Sequence, residues 1–135
     1  MILSGVCHCG AVTARLDTAD PAGLQVRACQ CDFCRRHGAK TVSDPNGRLT
    51  LIFAEGAVSR YRFGLNITDF LICRSCGAFV AAIMDDLAVL NVVGVDMPPL
   101  ASRTAEPMNY GGEDEGERIA RRGARWMPVT LEVAA

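Results

Sequence analysis

The stretch Cys29-Gln30-Cys31-Asp32-Phe33-Cys34-Arg35-Arg36-His37-Gly38 places three cysteines within six residues. A cysteine in an ordinary protein core stands alone, as a small hydrophobic residue. Three sulfur ligands on one short segment instead indicate a soft or borderline cation, and zinc is the commonest. Three ligands are one fewer than the tetrahedral set of a structural zinc site. A zinc ion with three protein ligands keeps one position open, which is typical of catalytic sites.

The composition is that of a folded domain. The chain has 135 residues, of which 50% are hydrophobic and 21% are charged. This balance is typical of a soluble globular protein and predicts a single domain over residues 1–135. The net charge of −1 argues against broad electrostatic binding to nucleic acid or to an anionic membrane. No apolar run reaches the roughly 18 residues that cross a bilayer.

The N-terminal sequence and the cysteine count indicate the redox compartment. Residues Met1–Gly5 lack the basic region of a signal peptide. We therefore expect a reducing, cytoplasmic compartment, in which the cysteines are thiolates on metal. A disulfide framework is the alternative, but seven cysteines would leave one thiol unpaired.

Two further cysteine pairs flank the triplet in sequence. In an extended strand, residues two apart point to the same face, so Cys7 and Cys9 can bind one ion while His8 points away. Cys73 and Cys76 follow an apolar strand with the Cys-x-x-Cys-Gly spacing of a zinc knuckle. A redox Cys-x-x-Cys motif would be followed by a helix. Residues 78–84 instead predict a buried strand.

Short alternating segments separated by Gly/Pro turns predict a mainly β fold. We expect strands over residues 11–16, 24–28, 49–54, 58–63, 78–84, 87–93 and 126–133, with another strand leading into Cys73. One short C-terminal helix is predicted over Glu113–Arg125. Its acidic start and basic end complement the helix dipole.

The end of the chain leaves two questions open. The predicted helix carries Asp114–Arg118 and Glu117–Arg121 pairs at a stabilising spacing. Arginines at 118, 121, 122 and 125 share one face, which is either a solvated, salt-bridged face or a clamp for a carboxylate or phosphate. The Pro- and Gly-rich segment 96–112 is either a binding loop or an ordered crossover.

The simplest assignment of the seven cysteines gives two metal sites. The two pairs form a closed four-sulfur site that ties the N-terminal strand to the middle of the chain, and the triplet forms an open site. His37 lies three residues after Cys34 and is a candidate fourth ligand that would close the triplet site. Spacing alone leaves both possibilities open.

The three cysteine groups, in this order and spacing, resemble the glutathione-dependent formaldehyde-activating enzyme family, which includes centromere protein V. The likeness also covers Gly38-Ala39 and Asn91-Val92-Val93-Gly94-Val95-Asp96. It implies zinc-binding, folded-over antiparallel sheets, called a β-tent, with two Zn²⁺ ions per chain. It does not require a histidine at position 37. The resemblance implies a structural zinc on Cys7, Cys9, Cys73 and Cys76, and a catalytic zinc on Cys29, Cys31 and Cys34.

The resemblance also implies an activity. The family joins glutathione to formaldehyde, giving S-hydroxymethylglutathione, or reverses that step, and so acts as a carbon–sulfur lyase. Arg35, Arg36 and Arg74 are candidates to hold the substrate carboxylates. Two other classes stay open: a related lyase or carrier for another thiol or aldehyde, and a non-catalytic interaction module with two structural zincs. The expected partners are small molecules, and a homodimer is a candidate assembly.

Overall fold

Eleven strands and three helices build the chain, described here over residues 1–135 by a computed structural model. The strands are β1 (Ile2–Val6), β2 (Thr13–Asp17), β3 (Arg27–Cys29), β4 (Thr41–Val42), β5 (Arg48–Ala54), β6 (Val58–Tyr61), β7 (Asp69–Cys73), β8 (Phe79–Met84), β9 (Leu87–Asn91), β10 (Glu106–Met108) and β11 (Met127–Ala134). The helices are α1 (Asp32–Arg36), α2 (Pro98–Ala101) and α3 (Glu115–Arg125). The protein is therefore mainly β, as the alternating segments predict. None of the three helices has the length and apolar character needed to cross a membrane.

All eleven strands belong to one sheet, which branches at β9. One arm runs from β9 through β4 and β3 to β10, and a second runs through β8 and β7 to β6. The last strand, β11, links β9 to the N-terminal part of the sheet, β5-β2-β1. Met127 and Pro128 pair with β9, whereas residues 129–134 pair with β5. One strand thus holds the two parts of the sheet together.

Two strand pairings are parallel, whereas antiparallel sheets were expected. The pair β11–β5 is parallel, and so is the pair β10–β3. Parallel strands need long crossover connections, and most of the chain lies between the partners in both cases. The remaining pairings are antiparallel, in agreement with the prediction.

The predicted C-terminal helix is present, but it starts at Glu115 because Asp114 is its N-cap. The Asp114 side chain accepts a hydrogen bond from the Glu117 backbone N–H at 2.8 Å, and Glu117 accepts one from the Asp114 N–H at 3.1 Å. This reciprocal capping box satisfies two backbone donors that the helix itself leaves free. The short helices α1 and α2 were not predicted.

The Pro- and Gly-rich segment 96–112 is an ordered crossover that contains α2 and β10. The Lys40 ammonium group donates hydrogen bonds to the carbonyls of Ala101 and Arg103, at 2.9 and 2.8 Å. The Arg103 guanidinium in turn donates to the carbonyls of Leu24 and Pro21. These contacts fix the path of the chain from β9 to the residues that precede α3.

Two clusters of buried side chains stabilise the sheet. The larger contains 21 residues and includes Leu16, Leu49, Leu51, Leu71 and Leu90. The smaller consists of Cys34, Ala39, Phe70, Phe79, Ala82, Met84, Val89 and Trp126. Because Cys34 belongs to the smaller cluster, α1 and the cysteine triplet are packed against β7, β8 and β9.

Candidate functional site

Four cysteines from two distant parts of the chain meet at the end of β7. The sulfur atoms of Cys7, Cys9, Cys73 and Cys76 all lie within 4.8 Å of one another. The Cys9 sulfur is 3.5 Å from that of Cys73 and 3.7 Å from that of Cys7. The structure therefore brings together the four residues that the simplest assignment groups in a closed site. Four thiolate ligands are a donor set that suits structural zinc.

The backbone around this four-sulfur cluster is tightly turned. The extended conformation expected at Cys7 and Cys9 is wrong, because β1 ends at Val6 and the Gly10 N–H donates to the Cys7 carbonyl at 2.9 Å. Gly10 has a positive φ of 83°, and Gly77 has a φ of 76° in the second turn. Glycine adopts this conformation without the penalty of a side chain. The turn, rather than a strand, brings both sulfurs to one point, and His8 is exposed as expected.

Backbone donors stabilise negative charge on these sulfurs. The Val12 N–H donates to the Cys7 sulfur at 3.3 Å. Hydrogen bonds from the backbone N–H groups of Cys9 and Ala78 lower the pKa of Cys76 to about 6. A thiolate is the form of cysteine that binds metal. The local backbone therefore fits a bound cation.

The cysteine triplet lies where β3 meets α1. The sulfur atoms of Cys29, Cys31 and Cys34 also lie within 4.8 Å of one another. Cys29 ends β3, and Cys31 is the N-cap of α1, with its sulfur accepting from the Cys34 N–H at 3.4 Å. The hydrogen bond with Cys29 lowers the pKa of Cys31 and raises the pKa of Cys34. These hydrogen bonds favour the thiolate form at Cys31, and the three sulfur donors suit a borderline cation such as zinc.

His37 does not join the triplet. Its Nδ1 atom lies 2.9 Å from the Phe33 carbonyl oxygen, and its ring packs on the Phe33 ring with centroids 4.3 Å apart. The side chain is exposed at the C-terminal end of α1. The ligand atoms that converge here are the three cysteine sulfurs alone. The structure therefore favours the open form of the site over closure by His37.

The triplet opens into a cavity of ≈ 320 Å³, which the four-sulfur cluster does not reach. This volume is at the lower end of the range for small-molecule sites. One wall is apolar and largely aromatic. It is formed mainly by Phe63, Leu65, Ile67, Phe70, Phe79, Ala82, Val89 and Trp126.

Four arginines line the same cavity: Arg27 of β3, and Arg118, Arg121 and Arg122 of α3. Burial lowers the pKa of Arg27, and it lowers the pKa of Arg122 to about 10. Both side chains are therefore cationic at neutral pH in a partly dehydrated site. The basic face of the helix is turned towards the triplet, and only Arg125 lies outside the cavity.

The ion pairs of α3 differ from those predicted. Arg121 donates two hydrogen bonds to Glu113, and Arg118 approaches the same carboxylate at 3.6 Å. The predicted Asp114–Arg118 and Glu117–Arg121 pairs are wrong, because Asp114 and Glu117 are occupied in the capping box.

The arginines proposed from sequence as substrate ligands lie elsewhere. Arg35 and Arg36 are exposed and pair with Asp32 at 2.7 and 3.1 Å. Arg74 is also exposed, and none of the three lines the cavity. One available signal was missed: Arg27 precedes Cys29 by two residues in a strand, so the two side chains share a face.

With this geometry established, comparison with known proteins identifies the family. The family model described as "Glutathione-dependent formaldehyde-activating enzyme", or GFA, matches residues 2–108. The chain belongs to the GFA family. The matched residues include all seven cysteines and Arg27, but they end before Tyr110 and α3. Membership indicates a glutathione-dependent, formaldehyde-related activity or a related lyase.

One solved structure has a similar fold. A crystal structure of a Rhodobacter sphaeroides protein is similar, with a TM-score of 0.64 and 24% sequence identity. The match covers 78% of this chain and 100% of that chain, and it bears on the fold alone. No curated protein matches the sequence.

Proposed function

We propose that this GFA-family protein is a zinc-dependent carbon–sulfur lyase that adds a small thiol to an aldehyde and catalyses the reverse step. Glutathione and formaldehyde, which give S-hydroxymethylglutathione, are the pair that the family suggests. The observation that carries the proposal is the contrast between the two cysteine clusters. The triplet has three sulfurs and opens into a cavity, whereas the four-sulfur cluster does not border it.

The two clusters have different roles in this proposal. Cys29, Cys31 and Cys34 would hold the catalytic zinc, and Cys7, Cys9, Cys73 and Cys76 would hold a structural zinc. When bound at the triplet, zinc supplies an open coordination position and deprotonates a thiol whose free pKa is about 8.5. A reducing compartment such as the cytoplasm would keep all seven cysteines available as thiolates.

The reaction needs no oxidant or reductant. The sulfur of the thiol forms a bond to the aldehyde carbon, and the electron pair of the C=O π bond moves to oxygen. The proton lost from the thiol ends on that oxygen, so a hydroxyl group forms. In the reverse direction, the hydroxyl proton returns to sulfur and the C–S bond breaks.

The residues around the triplet would support this proton and charge movement. Three cysteine thiolates outweigh the charge of one divalent ion, so nearby cations would stabilise the site. Arg27 and Arg122 supply positive charge in the same cavity. The apolar side chains of the cavity would lower the local dielectric constant, which would strengthen these electrostatic interactions.

The test is an exchange measurement, because formaldehyde and glutathione also combine unaided. NMR exchange spectroscopy at equilibrium would follow formaldehyde, glutathione and their adduct. We expect zinc-loaded protein to accelerate exchange in proportion to its concentration, and Cys31→Ser to abolish the acceleration. If folded, zinc-loaded wild-type protein gives no acceleration with glutathione or with other small thiols, the proposed reaction is wrong.

A further inference from the structure

The cavity beside the triplet is lined by two chemically different kinds of side chain. One kind is the guanidinium groups of Arg27, Arg118, Arg121 and Arg122, and the other is a set of aromatic and branched aliphatic side chains. No aspartate or glutamate lines the cavity. Formaldehyde, with a single carbon, has no use for an extended apolar wall, and glutathione is polar along its whole length. Neither of these two reactants would therefore use the apolar part of the lining.

The arginines are not equally available for a ligand. Arg121 is neutralised by its two hydrogen bonds to Glu113. Arg118 donates to the Tyr110 carbonyl at 3.0 Å and lies 3.6 Å from Glu113. Arg27 and Arg122 have no carboxylate partner. They donate to the hydroxyl groups of Ser43 and Thr68, and the Tyr110 side chain is a further polar neighbour of Arg27.

Arg27 and Arg122 also retain unused donors. The Nε atoms of Arg27, Arg118 and Arg122 are buried and have no hydrogen-bond partner. The whole Arg27 residue is only 7% exposed. Burying a charged group without a counter-charge and without full hydrogen bonding is costly. A bound anion at the guanidinium groups of Arg27 and Arg122 would offset this buried charge.

The apolar side chains contact one another and meet the arginines at Trp126. The Phe63 and Phe70 rings lie 4.7 Å apart, and the Phe70 and Phe79 rings lie 5.8 Å apart. The Arg122 guanidinium lies 4.7 Å from the centre of the Trp126 ring. A ligand that contacts both the rings and the arginines would bury apolar surface on the rings and hold its charge at the arginines.

We propose that the substrate is an amphipathic organic anion, with its carboxylate on Arg27 and Arg122 and its apolar body against Phe63, Phe70 and Trp126. The inference deepens the proposed function, since the anion is carried by either the thiol or the aldehyde that reacts at the triplet. Arg122 and Trp126 lie outside the residues matched by the GFA model. The C-terminal part of the chain therefore supplies two of the five side chains of this subsite.

Binding can be tested without catalysis. Zinc-loaded, full-length protein would be titrated calorimetrically with 3-phenylpropionate, with acetate and with 3-phenylpropanol. Acetate has the charge without the apolar body, and 3-phenylpropanol has the body without the charge. We expect 3-phenylpropionate to bind at least about tenfold more tightly than either. Equal affinity for the three compounds would overturn the proposal.

Variants locate the bound carboxylate. Arg27→Gln and Arg122→Gln should each weaken 3-phenylpropionate binding by about tenfold or more, as expected for loss of a hydrogen bond to a charged group. Arg122→Lys should bind with intermediate affinity. Arg125→Gln is the matched control, on the same helix but outside the cavity, and should bind like wild type. Thermal melting would verify that each variant is folded. If Arg27→Gln does not fold, the binding measured for Arg122→Gln decides the outcome.

Two results would contradict the assignment. Unchanged binding in folded Arg122→Gln excludes the arginine subsite. Binding that is lost in Cys31→Ser but kept in the arginine variants means that the carboxylate is a metal ligand, which also overturns the proposal. The exchange measurement tests a different proposal. If the protein binds 3-phenylpropionate but does not accelerate exchange, the proposed reaction is wrong and the proposed subsite is unaffected.

Two exchange reactions would then identify which reactant carries the anion. The first pairs 4-carboxybenzaldehyde with 2-mercaptoethanol, and the second pairs 3-(4-mercaptophenyl)propionate with formaldehyde. Acceleration of either reaction that falls in Arg122→Gln supports the proposal and identifies the anionic partner. If the protein accelerates the glutathione reaction but neither of these two reactions, the proposed anionic substrate is wrong.

Discussion

Arg121 donates two hydrogen bonds to the Glu113 carboxylate, with Nε 2.8 Å from Oε2 and Nη2 3.1 Å from Oε1. The two residues are eight positions apart, and Glu113 precedes the N-cap of α3. Their side chains are only 15% and 19% exposed. The pair therefore fastens the segment before α3 to the face of the helix that lines the cavity.

Removing this pair should destabilise the protein measurably. We expect Glu113→Gln to lower the free energy of unfolding by about 1–2 kcal/mol at pH 7, because a half-buried guanidinium loses a charge-assisted, two-point partner. Urea denaturation of the zinc-loaded protein would measure the change. The control is Glu115→Gln, which removes an exposed carboxylate of α3 that has no side-chain partner. Equal stability of the two variants would show that the Glu113 contact contributes nothing specific.

The N-cap of α3 gives a second stability prediction. Asp114→Ala removes the side chain that accepts from the Glu117 N–H, and it should cost about 0.5–2 kcal/mol in the free energy of unfolding. Asp114→Asn should recover most of that loss, because asparagine is also a good N-cap. The same urea denaturation would measure both variants. A loss that is equally large in both would mean that the charge of Asp114 matters rather than its capping hydrogen bond.

These contacts show which parts of the helix a sequence can predict. The charge order of Glu113–Arg125 predicts a helix because charge position acts locally, through the dipole and the free backbone groups. The partner of Arg121 is not local: Glu113 lies outside the helix, and its position depends on how the 96–112 crossover delivers it. A pattern of four-residue spacings contains no such information, so the predicted pairs were wrong.

The fold and the candidate site also have features that depend on local sequence and features that depend on the path of the whole chain. Alternation predicts most strands, and cysteine spacing predicts the members of each pair and of the triplet, because both depend on short-range geometry. That the two pairs would meet was predicted from ligand number, since four sulfurs complete a structural zinc site. The parallel pairing of β11 with β5 depends on the path of the whole intervening chain. The direction of the arginine face of α3 depends on that same path. An arginine stripe at helical spacing is equally compatible with solvent and with a cavity, and only packing distinguishes them.

The two cysteine clusters should respond differently to mutation. A structural zinc contributes an apparent binding energy of about 10–16 kcal/mol, whereas a whole domain is stable by only about 5–15 kcal/mol. We therefore expect Cys73→Ser to give unfolded or insoluble protein. Cys31→Ser should stay folded and carry about one zinc ion per chain instead of about two. Circular dichroism and elemental analysis of the purified proteins would measure folding and zinc content.

Cys9→Ser provides an independent check on this division, since Cys9 belongs to the four-sulfur cluster but is more exposed than Cys73. It should behave like Cys73→Ser. If Cys31→Ser unfolds as completely as Cys73→Ser, both clusters are structural and the proposed catalytic role of the triplet loses its support.

His37 offers the sharpest test of whether the triplet is open. Its Nδ1 atom contacts the Phe33 carbonyl, and its ring packs on Phe33, so the imidazole is held away from the three sulfurs. We expect His37→Ala to keep two zinc ions and to accelerate thiol–aldehyde exchange within about twofold of wild type. In cobalt-substituted protein, an added thiol should change the absorption spectrum of wild type and of His37→Ala alike, because both leave one coordination position free. Loss of one metal ion in His37→Ala would identify the histidine as a ligand. Loss of exchange with both metal ions retained would instead assign it to proton transfer, and either result would contradict a triplet site that works with three cysteines alone.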